Sequence, residues 1–150
     1  LLSLGCSGNC KLQDYFCDVL CAADVDAFIF DSFSNPSRDQ IKERLVPFIE
    51  KLQKHHPGKP LIFQATIRRE NRNFSLGRDK SEQERIDLVE EMMSEIVMKY
   101  KDVYFIHPNA TSEDNNASVD GVHPTNYGYT LWAKSIEKPV LKILKKYGIK

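Results

Sequence analysis

Short continuous apolar runs punctuate the chain, and segments with helical spacing fill the intervals between them. Residues 27–30 (Ala-Phe-Ile-Phe), 61–66 (Leu-Ile-Phe-Gln-Ala-Thr) and 103–106 (Val-Tyr-Phe-Ile) read as strands buried on both faces. Leu1 to Leu4 read as the end of a further strand, followed by a turn over 5–9. Leu12, Phe16, Val19, Leu20 and Ala23 recur at helical spacing and predict a helix over 12–23. Ser37 or Asp39 caps a second helix through Ile41, Leu45, Phe48, Ile49 and Leu52 to about His55, where Pro57-Gly58 stops it. Residues 68–80 read as a charged loop, and Ser81, with Glu84 in capping-box position, starts a long helix to about Tyr100. From Asn126 an amphipathic helix runs through Leu131, Trp132, Ile136, Val140, Leu141 and Leu144.

The resulting order, β-α-β-α-β-α-β-α, predicts an α/β domain: a parallel sheet covered on both faces by right-handed crossovers. Ligands in such sheets bind beyond the carboxyl ends of the strands. Here those ends carry the loops 5–11, 31–37, 67–80 and 107–123. The last is long, and loops of that length are more often functional than idle.

Composition narrows the class. A chain of 150 residues is read as one domain, 1–150, able to bury about 70% of its unfolded surface. Twenty-one basic residues cancel 21 acidic ones, so no global field recruits nucleic acid or an anionic membrane. No apolar run approaches the roughly 20 residues of a membrane span. No signal peptide is visible, and because the chain opens in an apolar run without Met, the natural start is expected upstream. The compartment stays open, secreted or periplasmic being one option, as does the oligomeric state. Cys6, Cys10, Cys17 and Cys21 form C-x3-C-x6-C-x3-C, which admits a zinc site, a Cys6–Cys10 disulfide or buried thiols on a helix.

Candidate chemistry lies in the strand-end loops. Asp120-Gly121-Val122-His123-Pro124 sets an acid three residues before an imidazole. Asp120 can orient His123, and His123 can take a proton from a hydroxyl nucleophile. A loop carboxylate beside a surface histidine is the plainer alternative. Arg68, Arg69 and Arg72 can meet a substrate, but a solvated charged loop is the expected role. His107 is expected to be structural, and His55 and His56 to be solvated at a helix end, where the dipole favours cations.

Three of these loops resemble blocks of the SGNH (GDSL-type) hydrolases, and together they run from Leu4 to Tyr129. Leu4-Gly5-Cys6-Ser7-Gly8-Asn9 resembles the second block, whose glycine, here Gly8, gives a backbone N–H to the oxyanion hole. Asp31-Ser32-Phe33-Ser34-Asn35 resembles the third, whose asparagine, here Asn35, gives a side-chain N–H. Asp120-Gly121-Val122-His123-Pro124-Thr125 and the following Asn126-Tyr127-Gly128-Tyr129 resemble the fifth, which supplies the triad Asp120 and His123. The resemblance implies a three-layer α/β/α flavodoxin-like fold and a serine esterase acting on small acyl esters, such as an acetyl group on a sugar, without metal or organic cofactor.

The family's first block, which carries the serine nucleophile, is not found. Ser7 lies within the oxyanion block, and Ser32 and Ser34 lie on the wrong strand. The expectation is an N-terminally truncated chain that lacks the first, central strand. The strands ending at Leu4 and Phe30 would then flank a slot roughly 10 Å wide, leaving the isolated 150 residues unstable or rearranged and inactive. The alternatives are a non-catalytic carbohydrate- or acyl-binding module on the same fold and a metal-binding domain built on the four cysteines.

Overall fold

A computed structural model describes residues 2–109 and 116–149 of the chain. Three strands, β1 (Phe28–Phe30), β2 (Leu61–Gln64) and β3 (Val103–Ile106), form a parallel sheet in the order β1-β2-β3. The helices are α1 (Asp14–Cys21), α2 (Arg38–His55), α3 (Leu76–Lys99) and α4 (Asn126–Lys146), with a 3-10 turn at Glu70–Phe74 ahead of α3. Register places Ile29 beside Ile62 and Ile62 beside Tyr104. Since strand side chains alternate, Phe28, Phe30, Leu61, Phe63, Val103 and Phe105 share one face. Helices α1, α2 and α3 pack there, with Cys17, Leu45, Ile49, Leu52 and Met93 fully buried. On the opposite face α4 lays Val140 and Ile143 over Ile62 and Ile106. This is the α/β/α layering expected from the sequence.

The local starts follow from side-chain chemistry. Ser37 closes a capping box with Gln40 at the head of α2: its hydroxyl accepts from the Gln40 N–H, and the Gln40 side chain accepts from the Ser37 N–H. Thr125 caps α4 by accepting from the Gly128 N–H at 3.1 Å.

Four expectations need correction. Residues 2–4 form no strand, and Leu2 and Leu4 are exposed, because no described strand lies beside them to complete a ladder. Strand β1 is buried on one face only: α4 covers β2 and β3 and leaves Ile29 46% exposed. Tyr104 and Phe105 of β3 are likewise only half-buried. The first helix is Asp14–Cys21, shorter than 12–23, because Leu12 is left-handed (φ +57°) and Gln13 holds the entry, donating to Asn9 O and accepting from Lys11 N. Finally, α3 begins at Leu76, capped by Ser75 through the Arg78 N–H, while Ser81 lies inside the helix.

Candidate active site

Residues 117–125 fold into a narrow antiparallel loop. Ser118 pairs with Pro124, Val119 N–H donates to His123 O at 2.8 Å, and Thr125 N–H donates to Ala117 O at 3.0 Å. Asp120 and His123 sit at its tip. One carboxylate oxygen of Asp120 accepts from the backbone N–H groups of Val122 (2.9 Å) and His123 (2.8 Å), and the other accepts from His123 Nδ1 at 2.7 Å. The backbone N–H of His123, then its ring, then the Val122 N–H hold the Asp120 carboxyl down to about 2, well below the usual carboxylate range. With Nδ1 donating to a carboxylate, Nε2 is the nitrogen that can accept a proton. The ring is 74% exposed to solvent.

The turn inside this loop needs Gly121, which is left-handed (φ +78°) and packs so closely on Asn71 that a β-carbon would lie 3.0 Å from its backbone nitrogen. The base of the loop is fixed by Gly128 in α4. A β-carbon there would lie 2.0 Å from Ala117 O, so only hydrogen lets the helix seat against the loop.

The second pair comes from the opposite end of the chain. Cys6 O accepts from Asn9 N–H at 3.0 Å, closing a tight turn whose central residues, Ser7 (φ +46°) and Gly8 (φ +79°), are both left-handed. A β-carbon on Gly8 would stand 3.9 Å from the Asn35 side-chain amide oxygen, so the two residues are neighbours in space. Asn35 is exposed, but its loop is anchored on either side by buried Phe33 and Pro36, with Phe33 stacked on Phe63. Ser32 is 2% exposed and lies 3.9 Å from Cys10 Sγ, which ties this loop to the Gly8 turn. The structure thus brings Gly8 to Asn35 and Asp120 to His123.

Arg69 and Arg72 are not solvated, contrary to the expectation from their charge, whereas Arg68 is exposed as expected. Arg72 is 8% exposed and donates to Asp79 Oδ1 at 2.6 Å and to Gln83 Oε1 at 2.8 Å. Arg69, with its side chain 15% exposed, donates to Ser34 O at 2.9 Å and faces Glu82 at 3.7 Å. Arg68 donates to Asn73 Oδ1 at the surface. The Arg72–Asp79 pairing was hidden because Asp79 joins the helix only once α3 extends back to Leu76. Asn71 N–H donates to Gly121 O at 3.1 Å, a contact with no sequence signal beyond the glycine itself.

The remaining candidates have local partners. His107 pairs with Glu90 at 2.9 Å. His55 donates to Lys51 O, and His56, its ring tilted against Phe28, donates to Leu20 O, so neither ring is merely solvated. The four cysteines are free thiols, and among the described residues no three His, Cys, Asp or Glu side chains are grouped as metal ligands would be. Burial, then the neighbouring Cys21, push the Cys17 thiol up to about 12. No helix among the described residues is long and apolar enough to cross a membrane.

The family model of the GDSL-like lipase/acylhydrolases matches residues 1–142. The chain belongs to this family. Among solved structures, this GDSL-like chain is similar to a protein from Bacteroides ovatus assigned as a GDSL-like lipase, with 32% identity and a TM-score of 0.85 over 92% of the chain. It spans 42% of that protein's length. A carbohydrate esterase of family 3 from Talaromyces cellulolyticus shares the fold at 15% identity and a TM-score of 0.68, with 93% of this chain and 70% of that one covered. A salicylyl-acyltransferase from a tetracycline biosynthetic pathway does so at 14% identity and a TM-score of 0.68, with 89% and 42% covered. No curated protein sequence matches the chain.

Proposed function

We propose that this GDSL-family chain carries the acid–base and oxyanion parts of a serine esterase whose nucleophile comes from sequence outside these residues. The observation that carries the reading is the 2.7 Å contact between His123 Nδ1 and an Asp120 carboxylate held ionised by three donors. Such a pair fixes the imidazole tautomer with Nε2 basic and stabilises the imidazolium formed during reaction. In the proposed cycle a serine hydroxyl attacks the ester carbonyl and passes its proton to His123 Nε2. The tetrahedral oxyanion accepts from the Gly8 backbone N–H and the Asn35 side-chain amide, donors of a type worth roughly 2.7–4 kcal/mol each. Collapse expels the alcohol, which takes the proton from His123. Water, deprotonated by the same nitrogen, then releases the acid from the acyl-enzyme.

Small acyl esters, including acetyl groups on carbohydrate, are the proposed substrates, a choice supported by family membership and by the fold shared with a carbohydrate esterase. The test is hydrolysis of p-nitrophenyl acetate and acetylated sugars by the protein from its whole reading frame. His123→Ala is expected to lower kcat by about 10²–10⁴-fold. A wild type inactive across the panel, or a His123→Ala variant as fast as wild type, rejects the reading. The 150 residues alone are expected to be inactive, and measurable turnover by them would place the nucleophile within this chain instead.

A further inference from the structure

The two halves of the proposed site come from loops far apart in sequence, and one short segment, 69–74, touches both. At its start Arg69 donates to the carbonyl of Ser34 at 2.9 Å, the carbonyl of the same planar peptide that contains the Asn35 nitrogen. The guanidinium also faces Glu82 at 3.7 Å, and both side chains are largely buried, at 15% and 11% exposure. Two residues further on, Asn71 N–H donates to Gly121 O, between Asp120 and Val122. Arg72, tied to Asp79 and Gln83, pins the 3-10 turn to α3, so the segment is braced against a long helix.

A guanidinium N–H donating to a peptide carbonyl restrains the direction of that carbonyl, and because the peptide is planar it limits how the next residue leaves the chain. The next residue is Asn35, whose side chain lies against Gly8. We propose that Arg69 is a positioning residue: by gripping the Ser34 carbonyl it aims the Asn35 amide, and through segment 69–74 it holds Asn35 at a set distance from the Asp120–His123 loop. This rests on the reading of Asn35 as an oxyanion donor. Because such a donor acts in the transition state, the effect of Arg69 falls on kcat and leaves KM nearly unchanged.

A double-mutant cycle in the protein from its whole reading frame tests this, with p-nitrophenyl acetate as substrate. Arg69→Ala is expected to lower kcat about 10–100-fold with KM within about twofold, and Arg69→Lys, which keeps charge but not the fork, to fall between. In an Asn35→Ala background the same Arg69→Ala change is expected to cost less than about twofold, since the residue it aims is gone. Equal losses in both backgrounds, or a folded Arg69→Ala variant with wild-type kcat, overturn the proposal. A second readout does not depend on turnover. In amide NMR spectra, Arg69→Lys and Arg69→Ala are expected to shift or broaden the Asn35 side-chain amide and the Gly8 N–H, and unchanged resonances in a folded variant overturn positioning. Loss of the esterase reading itself shows separately, as an inactive wild type or an active His123→Ala variant.

Discussion

Asp120 does with one carboxylate what many sites spread over several residues: it turns its own loop by accepting two backbone N–H groups and holds the imidazole with its other oxygen. Its native carboxyl titrates near 2 against an ordinary value of 3.8. Between those values the unfolded chain binds more protons than the folded one, so this contribution to stability grows as pH rises through the window. It is complete above about 3.8 and lost as pH falls through about 2. A carbon-13 titration of the Asp120 carboxyl should show a midpoint near 2, and a midpoint at the ordinary value would mean the loop does not hold it. Asp120→Asn keeps an acceptor for the backbone but loses the charge and frees the tautomer. If the proposed esterase cycle holds, kcat of the protein from its whole reading frame is expected to drop about 10²–10⁴-fold with little change in KM. Gly128→Ala acts by sterics alone. The β-carbon would overlap Ala117 O, so α4 and the loop must separate, at an expected cost of about 1–3 kcal/mol in the denaturant midpoint. The Asp-x-x-His spacing was legible in the sequence because its partners are local. The need for Gly128 was not, because Ala117 meets it only when α4 packs on the loop.

Among the elements, caps and strands were easier to read than helix starts. Ser37 and Gln40 satisfy each other's backbone donors within four residues, and Ser37→Ala should cost about 0.5–2 kcal/mol in thermal or denaturant unfolding. The start of α3 misled because two serines can each cap a helix there, and Ser81 has the glutamate of a capping box. Ser75 prevails, with the added turn tied down by Asp79 and Gln83 accepting from Arg72. Those same contacts turn 69–74 from a surface loop into the bridge between Ser34 and Gly121. On α1, Cys17 is fully buried with its thiol pushed up to about 12, so at neutral pH it should resist a disulfide reagent until the chain unfolds, while part-exposed Cys6 reacts first.

At the scale of the molecule, the three strands divide the layers unequally. Among the described residues, three helices cover one face and α4 alone covers the other, reaching β2 and β3 but not the Ile29 side of β1. The outer edge of β1 has no strand beside it among the described residues. An apolar strand with an open ladder edge is a template for pairing. The 150-residue chain on its own is therefore expected to self-associate as its concentration rises, and Ile29→Lys should weaken that association without loss of helix content. Sedimentation at several concentrations reads both, and a monomer at all of them would show the edge to be protected.

Alternation of apolar runs with helical spacing was enough, by itself, to determine a parallel α/β sheet and the loops at its carboxyl ends, because burial periodicity is a local property of the chain. Residue types and spacing marked Asp120 with His123, whose contact spans three residues, and the family resemblance singled out Gly8 and Asn35. Only the tertiary structure decided that Gly8 and Asn35 are neighbours, that Arg69 and Arg72 are buried and paired, and that Asn71 rests on Gly121. Each of those contacts joins residues whose meeting depends on how helices and loops pack over the sheet, and that packing is set by the whole core.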